Sequence, residues 1–264
     1  MRRAAFVVLA LIAAGCGADK PAAARDEAAG RAAAAAARDE RGAAKPAAAC
    51  VTAGAPYAVR HGELTLRRGN RRLDPETWSP PPDGCRRPLV IFSHGHHGAP
   101  ASCAEFCAAL ARAGLLVVAP RHRDDASFYE EAAARRADLE HVLDRLALPY
   151  DKARIALTGH SFGGYSAAEV GAEDRRVKAV VSMAGTPGYA YMSGMRAATL
   201  IVAGTRDPIE TVDSSRAADD AIPSPTPHRL LVIAGARHGD LLRSATVRRA
   251  ATGFLLDHLA GCPC

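Results

Sequence analysis

From residue 89 to near the end of the chain, short unbroken apolar runs alternate with stretches of helical periodicity. The runs at 89–92, 115–118, 154–158, 177–182, 199–202 and 230–233 have strand length. The segments 101–113, 130–147, 161–171, 212–221 and 241–260 read as helices. A strand that is apolar at successive positions is buried on both faces. The alternation therefore predicts an α/β fold with a mostly parallel central sheet and helices on both sides. Residues 57–66 and 71–78 read as two further strands turning at Gly69-Asn70, which predicts an antiparallel N-terminal edge. Pro80-Pro81-Pro82 then interrupts the pattern, and no internal repeat is present.

The first residues have a different character. Met1-Arg2-Arg3 is a short positive segment, and residues 4–14 are an apolar core too short to span a bilayer as a helix. Ala13-Ala14-Gly15-Cys16 follows. Small residues directly before a cysteine resemble a bacterial lipobox, although Ala13 replaces the usual leucine. Residues 1–16 are expected to be a signal peptide ending in a lipidated Cys16, with a plain cleaved signal peptide as the alternative. Residues 17–49 contain no large apolar side chain and cannot form a core, so they are expected to be an Ala-rich disordered tether. Residues 50–264 are left as one catalytic domain of ordinary size. The expected location is the bacterial cell envelope, with membrane contact only through the N-terminal lipid.

The formal net charge is +6. It comes from 30 arginines against four lysines, mostly scattered or in pairs such as Arg67-Arg68 and Arg248-Arg249. No nucleic-acid recognition motif accompanies them, so a nucleic-acid partner is not expected. There are seven cysteines. Setting Cys16 aside leaves an even set, Cys50, Cys85, Cys103, Cys107, Cys262 and Cys264, as an oxidising compartment favours. Their spacings fit zinc poorly. Neither metal nor cofactor is expected, and the sequence sets no oligomeric state.

Gly159-His160-Ser161-Phe162-Gly163 matches G-x-S-x-G. The motif alone is weak, but here it lies directly after a strand and directly before a helix. That is where a nucleophile must sit on a strained turn, with glycines where side chains would strike backbone. A serine hydroxyl needs a base, and the base needs an orienting acid. Asp207 follows the strand at 199–202 and His238 follows the strand at 230–233. Both lie past carboxyl ends of strands, where open α/β sheets build their sites. Ser161 is expected to be nucleophile, Asp207 acid and His238 base. Asp213, Asp240 and His258 are the rivals: the first falls at a helix, the second is too close to His238, and the third lies inside the last helix.

Ser93-His94-Gly95-His96-His97-Gly98 follows the first parallel strand. The dinuclear pattern H-x-H-x-D-H would need Asp and His where Gly98 and Ala99 stand. The segment reads better as an oxyanion loop, with the backbone N–H groups of His96 and Phe162 as donors.

The segments PLVIFSHGHHG, GLLVVAPRHRD, DLEHVLDRL, TGHSFGG, ATLIVAGTRDPI and ARHGD resemble the serine-type members of the dienelactone-hydrolase-like group. Its relatives include platelet-activating-factor acetylhydrolases and cutinase-like polyester hydrolases. The resemblance spans about residues 57–260 and implies an α/β-hydrolase esterase with a Ser-Asp-His triad. True dienelactone hydrolases use a cysteine nucleophile where this chain has Ser161. Polyester hydrolases usually carry a tryptophan where this chain has Met183.

The expected function is hydrolysis of carboxylic esters through an acyl-enzyme, on a small-molecule or polymer substrate. Acyl transfer or peptide hydrolysis by the same triad is the enzymatic alternative. A non-catalytic surface lipoprotein that binds a ligand is the alternative of another class; intact Ser161, Asp207 and His238 argue against it. Residues 183–198, which could have held a cap, are few and glycine-rich, so no large cap domain is expected. The site should be open, with Tyr189, Tyr191, Met192 and Met195 as a shallow contact surface or packed beneath the loop.

Overall fold

The computed structural model describes residues 56–123 and 127–260. The leader, Cys16, the tether, Cys50, Cys262 and Cys264 lie outside the described residues. So the domain boundaries expected from the sequence remain expectations.

The N-terminal part forms β1 (Arg60–Glu63), a small hairpin of β2 (Arg67–Arg68) and β3 (Arg71–Arg72), and β4 (Glu76–Ser79). The alternating part follows in order: β5 (Arg87–Ser93), α1 (Ala104–Arg112), β6 (Leu116–Ala119), α2 (Phe128–Arg145), β7 (Tyr150–His160), α3 (Phe162–Glu173) and β8 (Val177–Met183). It ends with α4 (Tyr189–Met192), β9 (Ala198–Gly204), α5 (Val212–Asp220), β10 (His228–Ile233), α6 (Asp240–Arg243) and α7 (Ala245–His258). The main sheet has eight strands in the order β1-β4-β6-β5-β7-β8-β9-β10. β1 and β4 pair antiparallel, as do β4 and β6, and the rest of the sheet is parallel. This is the α/β-hydrolase arrangement, with an antiparallel N-terminal edge and no large cap.

Alternate residues of each inner strand feed two separate cores. Val90, Phe92, Val181, Leu200 and Val202 pack with α1 and α7 through Phe106, Leu110, Phe254 and Leu255. Leu89, Ile91, Leu157, Val180 and Ile201 pack on the other face with α2 and α3 through Leu139, Val142, Ala167 and Val170. A period of two is what a pleated strand imposes when both faces are covered.

Two local readings need correction, and the packing decides one that the sequence leaves open. The strand expected over 57–66 stops at Glu63, because β1 pairs with β4 and the turn at Gly69-Asn70 closes only the separate two-residue hairpin. The last helix is broken at Ser244, whose hydroxyl accepts the Val247 N–H at 3.3 Å and starts α7 as a new helix. Met192 and Met195 are fully buried in the second core, beneath the 183–198 loop.

Among the described residues no helix is long and apolar enough to cross a membrane. Cys103 and Cys107 are buried free thiols with sulfurs 3.6 Å apart. Burial pushes the Cys107 thiol up, and the adjacent Cys103 adds to it. Of the six cysteines among which an oxidising compartment favours disulfides, with no pairing fixed by the sequence, these two form none.

Candidate active site

β7 ends at His160 and α3 begins at Phe162, so Ser161 alone makes the turn. Its backbone is at φ 57°, ψ −127°, a conformation that costs a non-glycine residue about 1–3 kcal/mol. The surroundings hold it there. Ser161 N–H donates to the Met183 carbonyl at 2.8 Å, and its own carbonyl accepts the Tyr165 N–H at 3.0 Å. A β-carbon at Gly163 would overlap the Ser93 carbonyl, and one at Gly185 would overlap the Ser161 carbonyl. The glycines let three backbone segments close on the serine.

Asp207 lies just past β9 with its side chain fully buried. One carboxylate oxygen faces His238 Nδ1 at 2.8 Å. The other accepts the N–H groups of Ile209 and Glu210 at 2.8 and 3.0 Å. His238 follows β10. Its carbonyl accepts Nε2–H of His160 at 2.8 Å, and the two rings lie 4.9 Å apart. Burial pushes the His160 imidazole down from its ordinary value, so it stays neutral and keeps the proton on Nε2. His160 thus joins the loop of His238 to the residue before Ser161. The sequence had marked its neighbour and missed it.

His96 and Phe162, the expected oxyanion donors, both line the same cavity as Ser161. Phe162 opens α3, where the first N–H groups have no acceptor within the helix. The His96 ring is turned to α2, with Nε2 2.9 Å from a Glu131 carboxylate oxygen, and meets the Phe162 ring edge-on. His94 points inward. Its Nδ1 faces the Gly95 carbonyl and its Nε2 accepts the His122 N–H. Among the described residues no group of three His, Cys, Asp or Glu side chains converges as a metal site.

The rivals sit elsewhere. Asp213 is on the exposed first turn of α5. Asp240 accepts the Arg237 N–H and pairs with Arg243. His258 packs on Phe254 in α7, and burial lowers its proton affinity. A second Ser-His-Asp series exists: Ser93 Oγ to His122 Nε2 at 3.1 Å, and His122 Nδ1 to Asp138 at 3.2 Å. Ser93 and the side chains of His122 and Asp138 have no exposed surface, so no substrate reaches Ser93.

The cavity at Ser161 is open and measures about 330 Å³. Its apolar walls are Phe128, Phe162, Tyr165, Ala184 and Ile209. Phe128 stacks on Phe162 with ring centres 4.8 Å apart and is half-exposed at the rim. Glu210 also lines it, its carboxylate held by Thr186 Oγ1 at 2.6 Å. A larger depression of about 490 Å³ lies by Pro80–Pro82 and Pro149, at the opposite, amino ends of β5 and β7. The carboxyl ends, where this fold class binds ligands, carry Ser161.

A strand–serine–helix turn at the carboxyl edge of a mostly parallel sheet, with an Asp–His pair past later strands, defines a hydrolase of the α/β class. Residues 89–242, more than half of the chain, match the model of the alpha/beta hydrolase family, and the chain belongs to it. Three solved structures share the fold. A protein given the name dienelactone hydrolase, from Klebsiella pneumoniae subsp. pneumoniae MGH 78578, is 19% identical with a TM-score of 0.65, over 76% of this chain and 98% of that one. The esterase of Pyrobaculum calidifontis is 18% identical with a TM-score of 0.61, over 76% of this chain and 85% of that one. A CIB-like hydrolase of Thermoplasma acidophilum is 18% identical with a TM-score of 0.64, over 76% of this chain and 100% of that one. No curated protein sequence matches the chain.

Proposed function

We propose that the protein is a serine carboxylic-ester hydrolase. The observation that carries the reading is Ser161, held at positive φ at the head of α3 in a cavity shared with His96 and Phe162. His238, bonded to Asp207, is tied back to the turn by His160. In this reading His238 takes the Ser161 proton as Oγ attacks the ester carbonyl. The carbonyl oxygen becomes an oxyanion facing the N–H groups of His96 and Phe162. The alcohol leaves with the proton from His238. Water, activated by the same imidazole, then releases the acid and restores Ser161.

The substrates are esters with short acyl groups of about two to six carbons, because the tail of a longer chain stays in water and gains little from burial. Support comes from the open cavity, its short aromatic wall and the single-turn α4 where a lid would stand. Initial rates across p-nitrophenyl esters of rising acyl length test this. The expected result is a maximum at or below six carbons and no jump above the substrate's aggregation point. A maximum at long chains would overturn it.

The same proposal places the protein in the bacterial envelope, anchored by a lipid on Cys16. The support is the leader from Met1 to Cys16. Cys16→Ser should move the protein from membrane to soluble fractions in the producing cell. Wild type already soluble there would rule the anchor out.

A further inference from the structure

Arg135 is the largest fully buried side chain among the described residues, with no exposed surface. It sits on α2, on the face of Ala132, Leu139 and Val142 that packs against the sheet side of the molecule. Burying a guanidinium is costly unless its N–H groups are well met. An aliphatic side chain would fill this position at lower cost, so packing alone does not account for it.

Its contacts with the site run to two carbonyls and one ring. Nη1 donates to the His94 carbonyl at 2.6 Å. Nη2 donates to the Gly95 carbonyl at 3.3 Å. The guanidinium carbon lies 4.7 Å from the centre of the Phe162 ring, on which the cation rests. The Gly95 carbonyl and the His96 N–H belong to one peptide group. That group is planar and trans, so the two point in opposite directions. Fixing the oxygen toward Arg135 fixes the His96 N–H away from it. His94 Nδ1, at 2.8 Å, and the Gly98 N–H, at 3.0 Å, reinforce the hold on the Gly95 oxygen. Phe162, under the same guanidinium, is the residue whose N–H opens α3.

We infer that Arg135 is a positioning residue that sets both oxyanion donors at once, the His96 N–H through the Gly95 carbonyl and the Phe162 N–H through the aromatic ring. The inference rests on the ester-hydrolase reading above. Arg135 touches no reacting atom. It holds two separate chain segments in a fixed relation, and its charge lies behind both donors. The Ser93–His122–Asp138 series secures the segment just before this loop from beneath. It gives the fully buried serine a role without chemistry.

A role in donor geometry predicts a loss confined to the transition state. Displacing a reacting group by about 1 Å costs about a hundredfold in rate. Arg135→Lys keeps the charge but cannot span two carbonyls and an aromatic face. It should lower kcat about a hundredfold and leave KM within about threefold. It should also weaken a trifluoromethyl ketone, which adds Ser161 and forms an oxyanion, by about the same factor as kcat. Binding of the corresponding amide, which forms none, should hold. Phe162→Leu, a milder change that keeps the Phe162 N–H but trims the cavity wall, should weaken the ketone about tenfold more than the amide, and decides the matter if Arg135→Lys does not fold. Equal weakening of ketone and amide, or kcat within threefold of wild type in a folded variant, overturns the inference. Ser161→Ala in the same assays separates the two claims. If it still turns over, the ester-hydrolase reading fails. If it is dead while the Arg135→Lys and Phe162→Leu proteins match wild type, only the Arg135 role fails.

Discussion

The Asp207 carboxylate is divided between two tasks: one oxygen meets His238 Nδ1 at 2.8 Å, and the other caps the N–H groups of Ile209 and Glu210 at 2.8 and 3.0 Å. The backbone bonds fix the carboxylate, and the carboxylate fixes the ring. Nδ1 must then carry the proton, which leaves Nε2 with its lone pair for a hydroxyl.

Asp207→Asn tests this relation. The oxygen of the amide can keep the Ile209 and Glu210 bonds, which turns its NH2 group toward Nδ1 and favours the wrong tautomer. Ester turnover should fall about a thousand- to ten-thousandfold with the fold intact. Asp213→Asn, on the exposed face of α5, should stay within about twofold. Steady-state kinetics of the two purified variants are the check, and the reverse order would assign the acid to Asp213.

The glycine next to the turn offers a steric test. A β-carbon at Gly185 would overlap the Ser161 carbonyl, whereas one at Gly188 meets nothing within 4 Å. Gly185→Ala should forfeit at least about tenfold in activity and about 1–3 kcal/mol of stability. Gly188→Ala should change stability by no more than about 0.5 kcal/mol. Denaturant melts with activity assays compare them, and equal behaviour would mean the packing at Ser161 is not as described.

Much of this site is legible along the chain. Ser161 is found because a strand, a G-x-S-x-G turn and a helix are contiguous, and Asp207 and His238 because each closely follows an apolar run. The two-sided core is legible for the same reason, since Leu89 and Val90 are both apolar yet face opposite ways. What escapes is what depends on pairing at a distance. Phe128, at the start of α2, and Ile209, in the loop after β9, wall the cavity from distant parts of the chain, and nothing local marks them. Arg135 shares a helix face with Ala132, Leu139 and Val142, but a charged side chain does not announce burial; only the fold shows that it points under the loop of Gly95. Met192 and Met195 sit in a glycine-rich segment that left contact and burial both open, and the packing of α4 against α3 decides for burial. The extent of β1 depended on its partner, which proved to be β4 across an intervening hairpin.

Asp138 connects the network beneath the loop to stability. Burial disfavours its charge, but His122, Arg68 and Arg71 outweigh this and hold its carboxyl below the ordinary value. A carboxylate whose folded pKa is depressed stabilises the fold above its unfolded pKa, about 3.9, and loses that contribution as pH falls through the folded value. Asp138→Asn should therefore be less stable than wild type by about 3–5 kcal/mol at pH 7, because the arginines are left unpaired. The gap should narrow below about pH 3.9. Urea melts from pH 7 down to pH 3 measure it, and a gap that is constant over that range would show that the charge of Asp138 plays no part.

In the proposed reaction the attacking atom is Ser161 Oγ. The direct measurement is fluorophosphonate labelling with peptide mapping by mass spectrometry, alongside ester turnover of Ser161→Ala. A single phosphonyl adduct is expected, on the peptide holding Ser161. Ser161→Ala should lose at least about a thousandfold in turnover, with an unchanged circular dichroism spectrum. An adduct on another serine, or wild-type turnover in folded Ser161→Ala, would contradict this role of Ser161.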